Sequence, residues 1–111
     1  RFSQKASPTK VGVSFGQLSI DEQTREVIYY GKEIQLTPRE YDLLLYLMKH
    51  PKQVLTREQI LETVWGFDYY GDTNVVDVYI RYVRQKLEIA NVTPIIQTVR
   101  GVGYVLKENK S

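Results

Sequence analysis

Between Thr73 and Leu106 the chain sets a basic helical segment directly before a glycine-punctuated hairpin, and few folds use both in so short a span. The helical segment reads TNVVDVYIRYVRQKLE (Thr73 to Glu88) and the hairpin reads IIQTVRGVGYVL (Ile95 to Leu106), turning at Arg100 to Gly103. An α-helix fits the major groove of duplex DNA, and a narrow hairpin tipped with arginine reaches the neighbouring minor groove. Nucleic-acid recognition is the first function class the sequence raises.

Wound at about 100° per residue, Val76, Ile80, Val83 and Leu87 share one side of the helix and form its buried stripe. Asn74, Val78, Arg81, Tyr82 and Gln85 fall opposite, with Val75 at the edge. A surface helix ordinarily carries Lys and Glu there. These residues instead offer a guanidinium, two amides, a phenol and methyl groups, all able to read base edges. Arginine pairs bidentately with guanine, Asn and Gln with adenine, and valine packs on the thymine methyl. The plainer reading has Val75 and Val78 covering neighbouring protein and Arg81 paired with Asp77 four residues back. As a set, the outward residues favour a groove. Asp77 and Arg84 lie between the faces. There Asp77 either bridges to Arg81 or Arg84 and fixes their rotamers, or forms a solvated ion pair contributing under ~1 kcal/mol.

Upstream, the first ten residues are polar and aperiodic and read as a linker. Three alternating runs follow, VSFGQLSI, REVIYY and KEIQL, separated by the turn-like DEQT and YGK, which predict a small antiparallel meander. Thr37, Pro38 and Glu40 then open a helix with a capping box and a proline in its first turn. Tyr41, Leu44, Leu45 and Met48 give it an apolar stripe, and Pro51 stops it. Thr56 opens a second helix with Gln59 as reciprocal cap. Ile60, Leu61, Val64 and Trp65 face inward, and Gly66 ends it. KQVLT, between the two, has room for one short strand.

At 111 residues the chain is one domain with one core, and its 42% hydrophobic and 25% charged content is ordinary for a globular protein. No apolar run approaches the roughly 18 residues of a membrane span, and no signal peptide opens the chain. Cysteine is absent, which excludes disulfides and thiolate zinc sites and suits a cytoplasmic compartment. The formal net charge is only +2, but its distribution is uneven. Residues 1–72 carry nine Lys/Arg against ten Asp/Glu, whereas residues 73–111 carry six against three. The positive excess therefore accompanies the helix and hairpin, where a phosphate-facing surface needs it. The chain opens without an initiator methionine and reads as a piece of a longer protein whose N-terminal partner domain has been removed.

LTPREYDLLLYL, VLTREQILETVWG, VVDVYIRYVRQKLE and IQTVRGVGY, in that order, closely resemble the C-terminal effector domain of OmpR/PhoB-type response regulators, over about Val13 to Lys107. The resemblance implies an α+β fold. This is a winged helix-turn-helix with an N-terminal four-stranded antiparallel sheet, three helices and a C-terminal β-hairpin wing. Residues 11–108 would form the domain, 1–10 the linker and 109–111 a tail. It implies a bacterial, cytoplasmic transcriptional regulator of a two-component phosphorelay. By the same resemblance, a receiver domain and sensor kinase absent from this chain would control it, and it would bind double-stranded DNA at tandem direct repeats, the isolated domain being mostly monomeric. Recognition helix 73–88 would enter the major groove and wing 95–106 would meet the minor groove.

Carried over by position, the DNA contacts fall on Asn74, Val78, Tyr79, Arg81, Tyr82 and Arg84. Trp65 with Thr98 resembles a backbone phosphate contact, and Arg100 the minor-groove residue. Many relatives carry arginine at the positions of Asn74 and Tyr82, so base preference does not transfer. The loop Gly66 to Asp72 exceeds the usual connection of about three to four residues. It contains Phe67, Asp68, Tyr69 and Tyr70, which the resemblance makes a candidate RNA polymerase contact.

Two other function classes compete. An enzyme is disfavoured: the sole histidine, His50, sits at a helix end beside Pro51. Gly101 and Gly103 sit in a hairpin turn with no following helix to cradle a phosphate. The sequence calls for no catalytic residue, cofactor or metal. A protein-interaction module is the stronger rival, with the aromatic residues at 67, 69 and 70 either as anchors or as cover for the core.

Overall fold

Gly16, in the left-handed region at φ 59°, and Gln17 make a two-residue connection between Phe15 and Leu18, which pair in register. VSFGQLSI, one run by pattern alone, is therefore two strands, because a left-handed first loop residue turns a hairpin back on itself. In the computed structural model, which describes residues 12–66, 71–89 and 94–107, four strands form an antiparallel sheet. They are β1 (Gly12–Phe15), β2 (Leu18–Asp21), β3 (Glu26–Tyr29) and β4 (Lys32–Ile34), in sequence order. The expected linker (1–10), the tail (109–111), both domain boundaries at 11 and 108, and Phe67 to Tyr70 lie outside the described residues.

Between β2 and β3 the Asp21 carboxylate accepts from the amides of Gln23 (2.9 Å) and Thr24 (3.4 Å), an Asx turn. Between β3 and β4, Tyr30 (φ 53°) and Gly31 (φ 75°) make the twisted turn that suits a hairpin. Alternation then buries Leu18, Ile20, Val27 and Tyr29 on one face.

Helix α1 (Pro38–Met48) starts with the expected box: Thr37 Oγ1 accepts from the Glu40 amide, and Glu40 Oε1 accepts from the Thr37 amide. Tyr41, Leu44 and Met48 are buried as expected, while Leu45 is only half-buried. Leu43 and Leu47, outside the expected stripe, are completely buried. The reason is position: α1 packs against the first sheet, the second helix, the third helix and the wing, so it is enclosed on more than one side.

Strand β5 (Leu55–Thr56) leads into α2 (Arg57–Ile60), capped reciprocally by Thr56 and Gln59. The helix continues as a π-helical turn over Leu61–Trp65, closed by the Gly66 amide donating to the Leu61 carbonyl at 3.1 Å. Such a turn is wider than an α-helical one and redirects the side chains at its end. The third helix, α3 (Asn74–Lys86), is shorter at its ends than the expected 73–88. It buries the predicted stripe of Val76, Ile80, Val83 and Leu87, each contributing about 1.5–3 kcal/mol. Strands β6 (Ile96–Val99) and β7 (Gly103–Leu106) form the wing, with β7 between β6 and β5. Gly103 is required there: a Cβ on it would lie 1.9 Å from the Leu55 carbonyl oxygen. The whole is a winged helix-turn-helix, as the resemblance implied.

Candidate nucleic-acid interface

The side of α3 facing away from the core carries Asn74, Arg81, Tyr82 and Gln85, all exposed, with Val78 partly exposed among them. Val75, at the edge, packs against the core, so for this residue the plainer reading holds. Arg81 has no hydrogen bond, ion pair or ring partner among the described residues, so its guanidinium points into solvent uncommitted. Arg100 is equally exposed and unpartnered, on the three-residue turn between β6 and β7 that the Val102 amide closes onto the Val99 carbonyl at 2.9 Å. Two free arginines thus crown two adjacent protrusions, one a helix and one a hairpin.

Asp77 does not pair with Arg81 or Arg84. It accepts from Arg57 Nε of α2 at 2.9 Å and from the Tyr104 hydroxyl of β7. The pairings expected along the helix lose to these because Asp77 lies at the junction of α2, α3 and the wing, where a tertiary partner is already in place. Burial by itself would raise the Asp77 carboxyl, but the Tyr104 hydroxyl and the Arg57 guanidinium outweigh it and hold it below the ordinary value. Burial and the neighbouring carboxylate push the Tyr104 hydroxyl up, keeping it a donor.

Arg84 turns to the wing. Its Nε donates to the Ile96 carbonyl at 2.9 Å and its Nη2 to Thr98 Oγ1 at 2.7 Å. The guanidinium carbons of Arg57 and Arg84 lie 5.5 and 5.6 Å from the Tyr104 ring centre. These bonds fix the wing against α3 and so fix the offset between Arg81 and Arg100.

On the other flank, Trp65 meets Tyr79 edge to face at 5.2 Å, and Tyr79 meets Tyr82 at 5.5 Å. Arg39 of α1 lies over the indole at 5.5 Å and donates to the Val64 carbonyl. Trp65 therefore belongs with Tyr79 and Tyr82, while Thr98 belongs with Arg84. The two residues paired by resemblance take part in different side-chain clusters.

A family model described as "Transcriptional regulatory protein, C terminal" matches residues 31–106. The uncharacterized transcriptional regulatory protein YkoG of Bacillus subtilis is 61% identical over 95 residues, covering 86% of this chain and 42% of YkoG. Among solved structures, the response regulator DrrB of Thermotoga maritima, an OmpR/PhoB homologue, superposes with a TM-score of 0.76 at 36% identity, covering 87% of this chain and 44% of DrrB. The DNA-binding domain of Klebsiella pneumoniae RstA, solved in complex with the RstA box, gives a TM-score of 0.76 at 35% identity, covering 86% of this chain and 96% of that one. The chain belongs to the OmpR/PhoB-type effector-domain family. It spans less than half the length of the curated relatives it matches.

Four residues of this effector domain's interface escaped sequence reasoning. Arg57 and Tyr104 reach Asp77 from 20 and 27 residues away, and no local pattern announces that. Arg39 sits in the first turn of α1, where only the fold brings it to Trp65. Lys86 bonds to Glu40 across 46 residues. The one available signal was Lys86 itself, a cation placed beside the buried stripe instead of on the outward face.

Proposed function

We propose that this chain is the DNA-binding output domain of a two-component transcriptional regulator, with α3 in the major groove and the wing tip at the adjacent minor groove. The observation that carries this reading is the pair of uncommitted arginines, Arg81 and Arg100, on a helix and a hairpin locked together through Arg84 and Tyr104. A free guanidinium keeps all its donors for guanine or phosphate, and a thin hairpin suits a narrow groove. Asn74, Val78, Tyr82 and Arg81 contact bases or their methyls. Tyr79, Trp65, Thr98 and Arg84 line the flanks, where phosphates run past the helix.

Regulation comes from a receiver domain and its sensor kinase, which are separate from the residues described here. RNA polymerase is the candidate partner of Phe67, Asp68, Tyr69 and Tyr70. The relatives are transcriptional regulators, and this domain works by binding alone in the bacterial cytoplasm, without catalysis. No described helix is long and apolar enough to cross a membrane. Duplex affinity measured against salt tests the reading. Neutralising phosphates releases counterions, so log K should fall linearly with log salt, and Arg84→Ala, which removes a cation from the flank where phosphates run, should lower the slope by about one. A salt-independent affinity, or no duplex binding at low salt, rejects it in favour of a protein-interaction module.

A further inference from the structure

The exposed face of α3 is divided along its length. Asn74, Arg81 and Gln85 supply hydrogen-bonding groups, while Val78 and Tyr82, four residues apart, form a neighbouring apolar ridge. Tyr82 is 43% exposed, large for an aromatic ring, and its hydroxyl has no protein partner among the described residues. A ring so exposed would ordinarily sample several rotamers. Here it rests edge to face on Tyr79 (67° between planes), which rests on Trp65 (78°), which lies under the Arg39 guanidinium. Arg39 is tied in turn to the Val64 carbonyl within the π-helical turn that aims Trp65. Three elements thus converge to hold one exposed ring. Edge-to-face pairs of this kind contribute about 0.5–1.5 kcal/mol beyond their area, enough to select one rotamer.

We propose that Tyr82 reads a thymine methyl group in the major groove, and that Arg39, Trp65 and Tyr79 are positioning residues that fix its ring for that contact. The thymine methyl is the apolar feature the major groove presents, and an apolar ridge beside a hydrogen-bonding strip is the complement of a thymine beside polar base edges. The hydroxyl, at the far end of the ring, stays hydrated. The inference rests on the major-groove reading of α3.

Deoxyuridine scanning tests it, because replacing thymidine by deoxyuridine removes only the methyl. The duplex is one selected from a random pool by this domain. Removing the methyl at one thymine should weaken parental binding about five-fold. Tyr82→Ala should abolish that dependence there while leaving any dependence due to Val78 at another thymine. Tyr79→Phe should keep the five-fold ratio. Tyr79→Leu and Arg39→Ala should reduce it toward one, with the thermal melt reporting folding separately. Should Tyr79→Leu not fold, the exposed Arg39 decides.

The proposal is overturned if no thymine loses its methyl dependence in Tyr82→Ala, or if folded Tyr79→Leu or Arg39→Ala retains the full ratio. A uniform loss in Tyr82→Phe at every site, with no methyl dependence, would make Tyr82 a phosphate contact instead. Failure of the parent to bind any duplex would remove the underlying reading, a result distinct from binding without methyl dependence.

Discussion

Glu40 Oε1 accepts two hydrogen bonds at once, from the Thr37 amide at 3.0 Å and from Lys86 Nζ at 2.6 Å. The first closes the N-terminus of α1, and the second ties that terminus to the last turn of α3. One buried carboxylate therefore caps the central helix and anchors the helix that bears the interface. Burial opposes its ionisation, but the Lys86 bond and the Thr37 amide and hydroxyl outweigh that cost, leaving the carboxyl below its ordinary value.

Glu40→Gln keeps a side chain able to cap but loses the ion pair. It should destabilise the domain by about 1 kcal/mol at neutral pH, and Glu40→Ala by about 2 kcal/mol, since the cap is then lost as well. Because the folded pKa is depressed, the stabilisation is fully present above the unfolded carboxylate value, about 4.3, and is lost as pH falls through the folded value. Denaturant melts across this range should show parent and Glu40→Gln converging in acid. A difference that stays constant with pH would show that the ion pair contributes nothing.

Arg81 and Arg100 should fail differently. Arg81→Ala should lose affinity for the selected operator and relax preference at the base facing it. Arg100→Ala should weaken preference for A·T-rich flanks, where the minor groove is narrow and electronegative. Competition between operators with A·T-rich and G·C-rich flanks separates the two. Unchanged binding by both variants at physiological salt would remove both contacts.

Arg84 should couple them. With Arg84→Ala the wing loses its bonds through Ile96 and Thr98, so Arg100 is held less firmly. In a double-mutant cycle for DNA binding, Arg100→Ala should cost about 1 kcal/mol less in the Arg84→Ala background. Strict additivity would mean that Arg84 acts on DNA alone and not through the wing.

What was legible in the sequence was what has a local cause. The two capping boxes, the short strand in KQVLT and the stripe from Val76 to Leu87 follow from neighbours within four residues, and all are present. The hairpin hidden in VSFGQLSI was legible only by weighing Gly16 above the apolar alternation around it. The partners of Asp77 were not legible, because helical spacing offers only neighbours such as Arg81 and says nothing of the distant Arg57 and Tyr104. The π-helical turn at Leu61–Trp65 was invisible too, since its residues suit an α-helix equally well. The outward face of α3 was readable, yet the support that reaches Tyr82 through Tyr79 comes from α1 and the π-helical turn and required the fold.

Among the described residues the exposed large hydrophobics are Tyr30, Val54, Tyr82 and Val102, which lie on the β3–β4 turn, before β5, on α3 and on the wing tip. Such scattered residues give no contiguous apolar face for a stable dimer, so the isolated domain should be monomeric in solution. Two copies on DNA should then meet head to tail, each on one half-site of a direct repeat, through a contact too weak to persist off the DNA. Their centres should lie about one helical turn apart, ~10–11 bp, so that both copies meet the same face of the duplex. Inserting about 5 bp places the second half-site on the opposite face and should abolish joint occupancy, whereas about 10 bp should preserve single-site affinity at each half. Gel-shift titration reads this directly as the loss of the doubly bound band at concentrations that saturate the parent site. Equal double occupancy of the half-turn insertion would show that the copies bind independently, and the tandem arrangement would be abandoned.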